Sequence, residues 1–136
     1  MKKKAFVIIL SIAVLVGVCG FWYQMPVDLM NLDAEDVSEI HIFNGNNGQE
    51  IKITDSRTIA PIIENLNEIT LKRNGLSLGV MGYSFRIRIT LSDGKKAKGW
   101  KEFTINASDS VRKDPFFYKV VKGKIDHGLI SRQFAR

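Results

Sequence analysis

The sequence predicts an α+β domain: an antiparallel sheet of about five or six strands, one helix after the second strand and a short helix at the C-terminus. Three observations carry this. Stretches of alternating apolar and polar residues recur between single turns, as half-buried antiparallel strands require. One stretch, residues 57–66, instead spaces Ile59, Ile62, Ile63 and Leu66 at helical intervals. Ahead of both lies a run too long and too uniformly apolar to belong to the domain.

That run opens the chain. Lys2, Lys3 and Lys4 precede residues 5–23, which carry no charge and include eleven Val, Ile, Leu or Phe side chains. At the helical rise per residue it spans roughly 28 Å, close to the hydrocarbon thickness of a bilayer. Phe21, Trp22 and Tyr23 end the run with aromatic residues, which favour the membrane–water interface. The lysines orient it with the N-terminus in the cytoplasm and the rest outside, a single pass through the cell membrane. Residues 1–27 thus read as a membrane anchor or signal segment, and residues 28–136 as a single extracytoplasmic domain, long enough for one core and not two.

A retained signal anchor is the leading reading, because the run exceeds the roughly 7–15 residues of a signal-peptide core. A cleaved signal peptide, giving a secreted protein, stays open. So does a lipoprotein acylated at Cys19: Val16-Gly17-Val18-Cys19 resembles a lipobox, although Val18 stands where a small residue belongs. Cys19 is the only cysteine, so the domain has neither a disulfide nor a cysteine-ligated metal site.

Residues 24–36 read as a linker. Residues 37–43 alternate as a strand, 44–48 supply turn chemistry with two glycines and three asparagines, and 50–54 alternate again to complete a hairpin. Asp55 or Ser56 caps the helix, whose Pro61 is tolerable near the first turn. Ile69 and Leu71 mark a third strand over 68–73, and the three glycines of 74–82 mark a loop. The clearest strand is 83–91. Tyr83, Phe85, Ile87 and Ile89 face one side; Ser84, Arg86, Arg88 and Thr90 face the other. After a turn at 92–94, a strand is expected over 98–105 with Phe103 and Ile105 inward. Residues 116–121 read as a sixth strand or a short helix, and 126–134 as a helix presenting Leu129, Ile130 and Phe134.

Catalytic constellations are sparse. His41 and His127 lack metal-site spacing, and no nucleophile elbow, P-loop or dinucleotide fingerprint is present. Asp33, Glu35 and Asp36 lack the glycine and distal glutamate of a calcium loop. No motif indicates a cofactor or a metal. Charge is more informative. Residues 28–68 hold nine acidic and two basic side chains, whereas 69–136 hold fifteen basic and five acidic. Arg86, Arg88, Lys95, Lys96 and Lys98 form a candidate anion-binding set, with Arg112 and Lys113 close behind. Such a set suits an anionic wall polymer, lipid head groups or an acidic envelope protein; nucleic acid is not expected outside the membrane. The competing reading pairs the acidic and basic halves across the sheet. Candidate recognition loops are a second group, Gly79, Met81 and Tyr83 in one, Asp114, Phe116 and Phe117 in the other. There the competing reading places the phenylalanines in the core.

The anchor, the EIHIFNGNNG hairpin, the SLGVMGYSFRI strand and the RKDPFFYKV stretch resemble small, uncharacterised membrane-anchored or exported envelope proteins of Gram-positive bacteria. The resemblance implies an extracytoplasmic location and carries no functional residue. Three function classes remain. The first is a membrane-tethered binding or sensory accessory domain. The second is a structural or inhibitory domain pairing through a sheet edge. The third is a hydrolase or transferase with a Ser/Lys or Arg-based site. The first leads, because the residues that usually carry catalysis are few and scattered.

Overall fold

The computed structural model describes residues 1–79, 82–96 and 99–135. Helix α1 (Lys2–Gln24) opens the chain and buries none of its side chains. It stops where Met25 turns extended ahead of Pro26, since the proline ring disfavours helical geometry in the residue before it. By length and composition α1 fits a membrane anchor or a signal sequence.

The strands that follow are β1 (Val27–Asp28), β2 (Val37–Asn44), β3 (Glu50–Ile53), β4 (Thr70–Leu76), β5 (Phe85–Leu91), β6 (Glu102–Ala107), β7 (Ser110–Lys113) and β8 (Phe116–Lys122). Among the described residues they form one antiparallel sheet in the order β1-β4-β8-β7-β6-β5-β2-β3. Strands β5 to β8 are a meander. The hairpin of β2 and β3 extends it at one edge, and β4 with β1 extends it at the other. Helix α2 (Ser56–Asn67) carries the chain from one edge to the other, and helix α3 (His127–Arg132) with a 3-10 turn (Gln133–Ala135) ends it.

The α+β class and the antiparallel sheet match the sequence prediction, but eight strands replace five or six. Two features account for the difference. Residues 102–122 fold back twice through two-residue turns, with Ala107 opposite Ser110 and Lys113 opposite Phe116. The 116–121 segment is thus a strand, and a further strand stands before it. The expected linker is also part of the fold: Val27 and Asp28 pair with Leu71 and Thr70. Its Leu29, Met30 and Leu32 are buried. As a result α1 precedes every strand, and α2 follows the third strand rather than the second.

One face of the sheet is the core. Ile40 of β2 stands between Ile53 and Ile89, and Ile42 between Ile51 and Ile87. A second row runs from Phe85 through Ile105 and Val111 to Tyr118. Helix α2 lays Ile59, Ile62, Ile63 and Leu66 onto these rows. Its exposed Pro61 sits at the sixth helical residue, later than the first turn, with its missing N–H on the solvent side. Asp55 caps the helix, accepting from the Arg57 amide at 3.3 Å and the Thr58 hydroxyl at 2.8 Å. The 29–32 segment closes the same face. The Asn67 side chain accepts from the Leu32 amide at 3.0 Å and donates to its carbonyl at 2.7 Å.

Candidate functional site

Among the described residues no helix covers the opposite face of the sheet, which collects the polar halves of the strands. On β5 the alternation that buries Phe85, Ile87 and Ile89 sends Arg86, Arg88 and Thr90 outward. Register then fixes their neighbours. Arg86 lies between Phe43 of β2 and Thr104 of β6, and Arg88 between His41 and Glu102. Thr104 is opposite Arg112 of β7, which in turn is opposite Phe117 of β8.

Tyr83, just ahead of β5, joins this group. Its ring centroid is 5.0 Å from the guanidinium carbon of Arg86 and 5.9 Å from that of Arg112. It also lies 6.3 Å from the Phe43 ring. Gly45 makes the approach possible. A Cβ there would collide with the Tyr83 carbonyl oxygen and ring, and the Gly45 amide donates to the Ser84 carbonyl at 2.9 Å.

The cations on this face differ in how they are held. Arg88 pairs with Glu102 at 3.4 Å, and Arg112 stands 3.8 Å from Asp114. Lys113 alternates to the covered side with Val111, its Nζ 5.8 Å from the Trp100 ring centroid, and donates to the Glu102 carbonyl at 3.0 Å. The exposed Arg86 makes no ion pair among the described residues; its neighbours are the Tyr83 ring, Phe43 and Thr104. A shallow depression of about 260 Å³ runs past Arg86, Thr104, Arg112 and Lys113, with Glu102 and Asp114 on its walls. A second, of about 480 Å³, runs along Arg88, Lys95, Lys101 and Glu102. Guanidinium groups beside a hydroxyl and an aromatic ring suit a carboxylate or phosphate, which they can grip with paired hydrogen bonds.

The residues singled out from the sequence are dispersed. Arg86 and Arg88 do share the open face, but Arg88 has Glu102 for a partner. Lys95, in the β5–β6 connection, pairs with Asp36 at 3.5 Å, an acidic–basic pairing of the kind the competing reading describes. Lys96 is exposed, and Lys98 and Met81 lie outside the described residues. The recognition loops separate. Tyr83 belongs to the Arg86 group, and Phe117 lies across from Arg112. Asp114 accepts from the Ser77 hydroxyl at 2.6 Å. Gly79 occupies the left-handed region at φ +79°. Phe116 turns toward the end of α1, its ring 5.9 Å from both Trp22 and Tyr23. Phe43 and Thr104 were not legible as site residues, because only the strand register sets them beside Arg86.

Other features have structural explanations. A depression of about 530 Å³ lies beside Asn65, Asp126 and His127. There Asn65 donates to the Lys124 carbonyl and accepts from the Asp126 amide, both at 2.8 Å, tying α2 to the start of α3. The His127 ring packs at a tilt against Phe85, centroids 4.9 Å apart, and His41 meets Glu50 at 3.2 Å on the open face. Among the described residues no cluster of His, Cys, Asp and Glu could hold a metal ion. The outermost strands are short, two residues in β1 and four in β3, and β3 carries the charged Glu50 and Lys52; both features discourage edge-to-edge pairing. The chain matches no protein-family model, no curated protein and no solved structure.

Proposed function

We propose that this chain is a membrane-tethered binding module whose α1 holds the domain outside the cytoplasm and whose open sheet face takes an anionic ligand. The single observation that carries the reading is Arg86. It is an exposed guanidinium with no acidic partner among the described residues, set between Tyr83, Phe43 and Thr104 with Arg112 beyond. A cation held on a rigid strand and left without a counter-ion is ready for an external carboxylate or phosphate, whereas Arg88 and Lys95 already have carboxylates beside them. Lys2, Lys3 and Lys4 favour the orientation with the N-terminus in the cytoplasm. The ligand class is the one that anionic wall polymers, lipid head groups and acidic peptides share.

The test uses the full chain in discs of neutral lipid, at low salt, with a soluble phosphate-rich wall polymer as probe. Arg86→Ser weakens binding about tenfold or more, the cost of losing a charge-assisted hydrogen-bonding group. Arg88→Ser weakens it less, because that charge is already partly compensated. Binding weakens further as salt rises, since exposed charges are screened over about 8–10 Å. Equal binding by the wild type and Arg86→Ser would rule the reading out. Reporters fused after the domain, active only in the cytoplasm, should stay silent; activity there reverses the topology.

A further inference from the structure

The end of the domain that meets α1 is built against the usual pattern of a water-facing loop. Arg73 of β4 stacks on Trp22, its guanidinium carbon 3.6 Å from the ring centroid, and donates to the Trp22 carbonyl at 2.9 Å. The Gly75 amide donates to the Tyr23 hydroxyl at 2.7 Å. The chain just beyond, residues 76–78, therefore sits beside the last turn of the helix. In it the polar residue is buried and the apolar ones are not. Ser77 is 1% exposed, its amide donating to the Pro115 carbonyl at 2.8 Å and its hydroxyl to Asp114. Leu76 and Leu78, on either side, are each 66% exposed. Among the described residues from 26 onward, the only other strongly exposed large apolar side chain is Val121.

We infer that Leu76 and Leu78 enter the interface of the bilayer that α1 crosses, on the side where the domain lies. The inference rests on reading α1 as a membrane anchor. The occupant is assigned by continuity. Trp22 and Tyr23 are residues of the interface, and the polypeptide hydrogen-bonded to them lies at the same depth. Two leucines held outward by a pinned serine give up their contact with water when they meet head groups and upper acyl chains. Arg73, fixed on the Trp22 ring, sits where a cation meets lipid phosphates. The domain is then attached at two points, the helix and the loop. It is held at a set tilt instead of swinging on a single chain at Met25 and Pro26.

The test uses the full chain with Cys19→Ser and one new cysteine at a time, Ile12→Cys, Leu76→Cys, Leu78→Cys or Asn47→Cys, each carrying an environment-sensitive fluorophore. The proteins are reconstituted in phosphatidylcholine vesicles with or without nitroxide-bearing lipid. Labels at 12, 76 and 78 shift to the blue and are quenched severalfold by the nitroxide lipid, while 47, in the distal β2–β3 turn, stays unquenched. Quenching at 12 with none at 76 or 78 overturns the loop contact and leaves the anchor intact. No quenching at any position overturns the anchor and the loop contact with it. A blue shift at 76 and 78 without lipid quenching means that the leucines meet another protein surface, such as a second copy, and also overturns the inference.

Discussion

On β5, Phe85, Ile87 and Ile89 are 2%, 0% and 3% exposed, whereas Arg86, Arg88 and Thr90, each one residue away, stand in solvent. The covered face is redundantly determined. Ile87 is held by Ile42 on one side and Phe103 on the other, beneath a helix that contributes four more buried apolar side chains. The open face is determined singly: what Arg86 can do depends on which residue the register places beside it. The fold should therefore be sensitive to changes on one side of this strand, and binding to changes on the other.

The largest expected effect comes from breaking the covered side. Ile87→Ala removes a fully buried side chain and leaves a cavity, at a cost of about 2–5 kcal/mol. That would be read as a drop in thermal or denaturant midpoint. Thr90→Ala, three residues on and outward, should move the midpoint by no more than about 0.5 kcal/mol. Similar losses for the two would mean that the strand does not divide its faces as described.

Asn67→Ala sharpens the boundary of the covered side. It removes both hydrogen bonds to the Leu32 backbone, a loss of about 1–3 kcal/mol. It should also loosen the 29–32 segment, visible as faster amide exchange at Leu32. Unchanged exchange there would show that the buried leucines hold the segment without help.

How much of this was legible in the sequence follows the same division. The alternation of 83–91 and the helical spacing of Ile59, Ile62, Ile63 and Leu66 disclose which residues face inward, because both periods are local. The place of Arg112 is not local. It depends on a turn at Ser108 and Asp109, which has neither glycine nor proline to announce it. Leu29, Met30 and Leu32 were hidden for a related reason. Asn31 and two nearby aspartates interrupt any period, and burial comes from Asn67 reaching across 35 positions. The pairing of Lys95 with Asp36 and the stacking of Arg73 on Trp22 are likewise contacts that only the folded chain creates.

The smallest effect concerns the cap of the helix that makes one face the covered one. Hydrogen bonds from the Thr58 hydroxyl and from the Arg57 amide hold the Asp55 carboxyl below its ordinary value of 3.8. A carboxyl depressed on folding contributes stability that is fully present above its unfolded value and is lost as pH falls through the lower folded value. Asp55→Asn keeps a capping oxygen that does not titrate. Near neutral pH the wild type should melt at the same temperature as this variant or slightly above it, because the ionised cap also favours the positive end of the helix. As pH falls through that lowered value the wild type loses its ionised cap while the asparagine retains its own, so the difference should shrink and then reverse. A melting difference that stays constant from neutral pH to about pH 2 would show that Asp55 caps α2 without its charge mattering.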